Sequence, residues 1–438
     1  MMRYISTTAQ SAPASLDYAV NHCVAADGGM FMPEELPVLP RAFFNNIGDM
    51  NLREIAFVVA ETFFGQDIDS ATLKAITDET FAFDAPMRRL GRDTFVLELF
   101  HGPTLTFKDY GARFMARLMH ALDARHRRRR HVLVATSGNT GAAAANGLFK
   151  LEGTSVSVLY PKGRLTGIQR AQITALGSNI HPIEVAGTVE DCKMLVQKAI
   201  ADPSLENLNL TGANSINIAR LIPQITFALA AYAHMRALDT EGADKAVYSI
   251  PSGNLSNVVA TAMAKRMGLP CGKILAATGA NNQVAPLLRG EEPAKRQPAA
   301  TLAPSIDMSI PSGWPRLYSL YKGDLVAMRR DIEAPAPVDD ATIARTVNEL
   351  RGEYGYTVDP HGAVAYAAAR SIDATEGTPR VVFATGHPAK QLDIMTRLTG
   401  TAIEMPVQLN NFMVVRRTPT IIPPTLPALK KHLHSIQT

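Results

Sequence analysis

Cysteine is scarce in this chain. Its 438 residues include three, Cys23, Cys192 and Cys271. They are far apart, odd in number and contain no CxxC pair. That excludes a disulfide framework, offers no zinc-site spacing, and fits a reducing cytoplasm. Charge is also modest: 19% of residues are Asp, Glu, Lys or Arg, and the net charge is +4. So small an excess suits small anionic ligands and does not by itself imply nucleic acid. No apolar run approaches the ~18 residues needed to span a membrane. The opening MMRYISTTAQSAPASL lacks an apolar h-region and reads as no secretory signal. There is no internal repeat and no low-complexity tract.

What is present is an ordinary globular composition, 46% hydrophobic, in a chain long enough for two or three domains. Residues 1–92 read as a mostly helical leading domain, with helices over Asn51–Gly65 and Ser70–Thr80. A polar stretch after Met87 separates it from the remainder of the chain. From there, apolar strands alternate with helices, the pattern of an α/β parallel sheet. Strands are expected at Phe95–Phe100, His131–Ala135, Ser155–Tyr160, Asn179–Val185, Ala246–Ile250, Ile274–Thr278 and Arg380–Ala384. A long apolar helix is expected over Ile218–Leu238. Residues 280–315 read as a long loop over the site or between domains. The basic run Arg125–His131 reads as a solvated helix end. It has no interleaved aromatics for base stacking.

Four places carry chemistry. In VLELFHGPTLTFKDYGAR, a strand enters a Gly-Pro turn and then a helix with Lys108 near its start. Apolar residues at helical spacing lie behind that lysine. Such a site can desolvate an ammonium and lower its pKa, as Schiff-base chemistry needs. A surface lysine with a buried stem fits the local sequence too. Three strand–polar loop–helix junctions lie further along, at residues 136–141, 251–257 and 385–390. In a parallel sheet these gather at the C-terminal strand edge, where backbone N–H groups hold anions. Two anion cradles and one lysine suit a phosphorylated cofactor held as an imine.

The motifs LELFHGPTLTFKD, ATSGNTGAAAA, GANSINIARL, PSGN, DPHGAVAYAA and HPAK, in this order, closely resemble those of the threonine synthase family. These are pyridoxal-phosphate (PLP) enzymes of the tryptophan-synthase-β-like fold, fold type II. The resemblance covers nearly the whole chain, from Tyr4 and Asp27-Gly28-Gly29-Met30-Phe31 to the HPAK loop. It implies an α/β fold of parallel sheets with an α-rich N-terminal domain. The implied division is residues 1–92, a PLP domain over 93–240 and a second α/β domain over 241–438.

By this resemblance Lys108 is the Schiff-base lysine, whose amine then moves protons at the substrate's Cα and Cβ. Thr136, Ser137, Gly138, Asn139 and Thr140 form the family's asparagine loop for the substrate carboxylate, with Asn139 also touching the cofactor. The segment Gly253, Asn254, Leu255, Ser256 and Asn257 cradles the PLP phosphate. Asn214, Ser215 and Arg220 match the substrate-phosphate contacts, joined by Asn254. Thr385 meets the pyridine nitrogen. The implied reaction turns O-phospho-L-homoserine and water into L-threonine and phosphate, with no metal, nucleic acid or membrane, in a monomer or homodimer.

Each assignment has a plainer counterpart. Asn214 and Ser215 can simply cap the next helix, and Arg220 can be a snorkelling structural arginine. Lys162 and Arg164 read as exposed loop charges. His101, His361 and His387 read as hydrogen-bonded structural residues. The chain also departs from the family. Leu255-Ser256 stands where Phe-Gly is usual, Gly386 where Ala is usual, and Thr166-Gly167-Ile168-Gln169 where Ser-Pro-x-Gln is typical. Ser256 adds a Cβ where Gly normally lets the backbone approach the phosphate. These departures leave open a paralogue acting by elimination and replacement on a related amino acid or phosphonate. A non-catalytic binding protein on the same fold would have no need for the imine lysine.

Overall fold

Three short runs organise the molecule: Phe95-Val96-Leu97, Val247-Tyr248-Ser249-Ile250 and Val381-Val382-Phe383. Each is apolar on both faces, as a strand covered by helices on both sides must be. In the computed structural model, which describes residues 2–213, 215–293, 297–373, 375 and 377–436, they are adjacent and parallel. Arg380–Ala384 pairs with Thr94–Glu98, residue 384 opposite residue 98, and on its other side with Val247–Pro251. Ile274–Ala277 and Ile332–Glu333 continue the sheet beyond Val247–Pro251, and Met87–Leu90 closes the far edge antiparallel. A second, all-parallel sheet runs in the order Thr420–Ile422, Ile180–Val185, Thr154–Pro161, Arg130–Ala135, Leu210–Gly212. Tyr4–Ser6 and Phe31–Pro33 make a small antiparallel pair. Among the described residues, no helix is long and apolar enough to cross a membrane.

Several expectations change in the structure. The polar stretch after Met87 is an edge strand. Arg88 and Arg89 are exposed on it, so the apolar alternation that marks a half-buried strand is missing. The sheets also draw on distant segments. Strand Thr94–Glu98 joins strands from 247–384, and Thr420–Ile422 joins those from 130–212. The long helix over Ile218–Leu238 is broken into Ile218–Leu221, a 3₁₀ turn Ile222–Gln224 and Ile225–Ala237. Pro223 has no N–H to donate and interrupts the helical ladder there. In the 280–315 stretch, Val284–Leu288 is helical, Pro304–Ile306 is a 3₁₀ turn, and the next helix begins at Trp314. The basic run is not all solvated either. Arg130 is buried against Asp123, and Arg128 pairs with Asp17 and Asp123.

The helix Lys108–His126 is the hub of the first site. Gly147, on the helix Asn139–Leu148, approaches so closely that a Cβ there would lie 2.9 Å from the Ala112 carbonyl. Gly111 does the same one helix over: its Cβ would stand 2.8 Å from the Arg220 carbonyl oxygen. Absent side chains therefore set how near Arg220 comes to Lys108. Gly111→Ala is expected to cost about 1–3 kcal/mol of stability by overpacking. That exceeds the roughly 1 kcal/mol of helix propensity gained. Urea unfolding measures it. A variant more stable than the wild type would show that the two helices part freely.

Candidate active site

Lys108 owes its place to the loop before it. After Glu98 the chain stays beside the neighbouring strand. Leu99 N–H donates to the Ala384 carbonyl (2.9 Å), Phe107 N–H to the Thr385 carbonyl (3.0 Å), and His387 N–H to the Leu105 carbonyl (3.1 Å). The first helical residue is Lys108. Its amine makes no hydrogen bond or ion pair among the described residues, and the Phe107 ring lies 5.9 Å away. Lys108 lines a cavity with Ser215, Arg220, Gln224, Asn254 and Ser256. Desolvation, and secondarily the Arg220 charge, pull its pKa down to about 8.

A second buried lysine stands nearby and is engaged. Lys390 Nζ donates to the Thr104 carbonyl (2.9 Å) and to Gln172 Oε1. Gln172 in turn donates to the same carbonyl. Asp109 accepts from Thr104 N–H (2.8 Å) and from its hydroxyl. Burial raises the Asp109 carboxyl and lowers Lys390, to about 7. This knot ties three segments: the turn before Lys108, the 385–390 loop, and the helix Gly167–Thr174. In the sequence Lys390 is one letter of the HPAK motif, and nothing local to it signals this role.

The other expected residues fall into groups. In the asparagine loop, the Thr136 hydroxyl is used within the loop, accepting from Gly138 N–H (3.0 Å) and Gly141 N–H (2.8 Å). Ser137 is exposed, and Asn139 and Thr140 are half-buried. Asn139 Oδ1 is buried without a partner among the described residues. The loop is held close to Gln169, since a Cβ at Gly138 would meet that side chain. In the 253–257 cradle, a Cβ at Gly253 would stand 2.7 Å from Ile306 Cα. Asn254 Oδ1 caps Ser256 N–H (3.0 Å), and Asn257 Oδ1 is buried without a partner among the described residues. Asn214 lies outside the described residues. Thr385 is buried, its carbonyl receiving Phe107.

Beside Ser256, whose added Cβ marks the departure from the family, the unusual backbone belongs to the residue before it. Leu255 takes the left-handed conformation, φ 66°, which costs a non-glycine residue about 1–2 kcal/mol. Ser256 is an ordinary first helical residue, half-buried on the cavity wall. The three histidines are hydrogen-bonded as expected. His101 meets Glu98 at 2.7 Å and His361 meets Asp359 at 2.5 Å. His387 caps the 388–391 turn by accepting from Ala389 N–H. Lys162 and Arg164 are exposed. Among the described residues, no group of His, Cys, Asp and Glu side chains is placed to hold a metal.

Arg316 is a site residue that the sequence motifs do not single out. It is 3% exposed and lines the adjoining part of the cavity beside Ser215, Asn254 and Ser256. A local signal exists, since the only tryptophan and Pro315 mark a helix start there.

A phosphorylated aldehyde fits this residue set. The site offers, among the described residues, an unengaged, easily deprotonated amine and two buried amide oxygens without partners, with a glycine whose missing side chain shapes the loop. The model of the family "Pyridoxal-phosphate dependent enzyme" matches residues 81–386, and that of "Threonine synthase N terminus" matches residues 3–81. A threonine synthase of Serratia marcescens is 34% identical over 94% of each chain. The solved PLP-bound threonine synthase of Brucella melitensis aligns over 99% of both chains with a TM-score of 0.92 and 29% identity. The crystal structure of threonine synthase from Escherichia coli aligns over 100% of both chains with a TM-score of 0.89 and 32% identity.

The depressed Lys108 amine has a stability signature in the cofactor-free protein. Folded, it loses its proton near pH 8; unfolded, it keeps the proton up to about pH 10.5. The unfolded chain binds more protons in that window, so the Lys108 contribution to stability rises with pH across it. Denaturation of cofactor-free wild type and Lys108→Met at pH 8 and pH 10 should show wild type gaining on the variant. Equal slopes would contradict a depressed amine.

Proposed function

The chain belongs to the pyridoxal-phosphate-dependent enzymes, in the threonine synthase family, and we propose that Lys108 and the loops around it convert O-phospho-L-homoserine and water to L-threonine and phosphate. The observation that carries this is an unengaged buried amine sharing one cavity with a buried guanidinium, Arg220, that has no carboxylate partner among the described residues. The cofactor is pyridoxal 5′-phosphate, held by Lys108, by the 253–257 segment and by Thr385. Bound there, it supplies electron withdrawal that stabilises negative charge on substrate carbon.

The chain's own residues do the rest. Lys108 Nζ, half-deprotonated near pH 8, takes protons from the substrate's Cα and Cβ and returns one at Cα. Thr136, Ser137, Asn139 and Thr140 hold the α-carboxylate. Asn214, Ser215, Arg220 and Asn254 hold the phosphoryl group, for which the planar guanidinium is a bidentate partner. In the overall balance, Cβ loses one proton, the Cγ–O bond breaks and phosphate leaves. Cγ gains a proton, and water adds its hydroxyl at Cβ while its remaining proton goes to the phosphate. Thr385 offers a neutral hydroxyl, where a carboxylate would keep the pyridine nitrogen protonated. Among the described residues the three cysteines form no disulfide, which fits a reducing compartment, and we assign the enzyme to the cytoplasm.

The test is turnover of O-phospho-L-homoserine by the PLP-loaded protein. Phosphate and threonine are expected in equal amounts. Lys108→Ala should lose at least ~10³-fold, because removing the proton-transfer group removes more than a typical general-base contribution. PLP binding without turnover would favour a paralogue with another substrate.

A further inference from the structure

Arg316 is the buried charge that these assignments leave unexplained. It sits on the helix Trp314–Leu320. Its Nε donates to the Phe31 carbonyl (3.2 Å) and its Nη2 to the Ile216 carbonyl (2.5 Å). No carboxylate lies within ion-pair distance among the described residues. Arg220 is similar: it is 3% exposed, makes one bond to the Ala213 carbonyl (3.2 Å), and feels the Asp109 charge only from beyond ion-pair distance among the described residues. Burying one uncompensated cation costs several kcal/mol, and burying two in one region is an arrangement a fold keeps when an anion completes it.

The two guanidiniums do share a region. Both lie within electrostatic reach of the Cys23 sulfur, and desolvation pulls each down to about 10. Ser215, Asn254 and Ser256 line both the compartment with Lys108 and Arg220 and the compartment with Arg316. Ser312 and Gly313 complete the second compartment, where Gly313 N–H donates to the Asn254 carbonyl (2.8 Å). Neither compartment has an acidic side chain on its wall. The walls thus present two fixed positive charges, hydroxyls and amides.

We propose that Arg316 is a second guanidinium of the substrate phosphoryl site, making that site selective for a dianionic phosphate ester. This rests on the function proposed above and names what sets its substrate class. A phosphate monoester near neutral pH carries close to two negative charges, which Arg220 and Arg316 together balance. A neutral or singly charged leaving group would leave one guanidinium buried without a counter-charge. The backbone bonds of Arg316 preset its position, so little side-chain freedom is lost on binding.

The test uses PLP-loaded wild type, Arg316→Gln and Arg316→Lys. In Arg316→Gln, KM for O-phospho-L-homoserine and the inhibition constant of inorganic phosphate should both rise roughly tenfold to hundredfold, the range of one charged hydrogen-bonded contact. Binding of L-threonine, followed by the cofactor's absorbance, should stay within about threefold, because threonine has no phosphate. Arg316→Lys should recover part of the phosphate affinity, since it keeps the charge without the fork. Two outcomes overturn the inference. In one, KM and phosphate inhibition are unchanged. In the other, threonine and phosphate binding fall together, which marks Arg316 as only a tie between the Phe31 and Ile216 segments. An inactive wild type would defeat the proposed reaction instead, and inorganic phosphate binding to the PLP-loaded wild type and Arg316→Gln, followed by the cofactor's absorbance, would still decide the role of Arg316.

Discussion

The hydrogen bond from Phe107 N–H to the Thr385 carbonyl decides where the chemistry sits. It continues the parallel pairing of Thr94–Glu98 with Arg380–Ala384 past the end of the sheet. One residue later the backbone turns into a helix whose first side chain is Lys108. The lysine's depth is therefore inherited from sheet register, and the loop after Pro251 comes to the same edge through the next strand pairing. A slip of one residue in this register would turn Lys108 away from the cavity.

Four buried cations surround that edge, and their partners separate their roles. Lys390 is held by Thr104, Gln172 and the Asp109 charge, so it orders the turn before Lys108 and the loop after Thr385. Lys108 has a lowered pKa and no comparable partner. An amine with no hydrogen bond among the described residues, deprotonating near pH 8, is a nucleophile, whereas one donating two hydrogen bonds is a clamp. Arg220 and Arg316 have carbonyls but no carboxylates among the described residues. Their missing counter-charge belongs to the ligand. The same desolvation thus produces a reactive amine at one end of the cavity and an anion trap at the other.

Much of the site is legible locally. Strand, glycine-bearing loop and helix succeed one another within about fifteen residues, so the junctions at 136–141, 251–257 and 385–390 can be read from the chain, as can Lys108 and its apolar helix. Other features depend on contacts distant in sequence. Met87–Leu90 is hidden because an edge strand can expose its arginines. Arg316 and Lys390 look like any surface cation until the fold buries them, Arg316 against Phe31, 285 positions away. Leu255 illustrates a third kind. The Leu255-Ser256 pair is unusual as a sequence, but only backbone geometry shows that the left-handed position belongs to Leu255.

The central claim is that Lys108, and not the more buried Lys390, holds the cofactor. Borohydride reduction of the PLP-loaded protein fixes the cofactor covalently to the lysine that carries it, and peptide mass mapping then locates it. The added mass should fall on the peptide containing Lys108 and be absent from the one containing Lys390. Label on Lys390, or on neither peptide, would contradict the account.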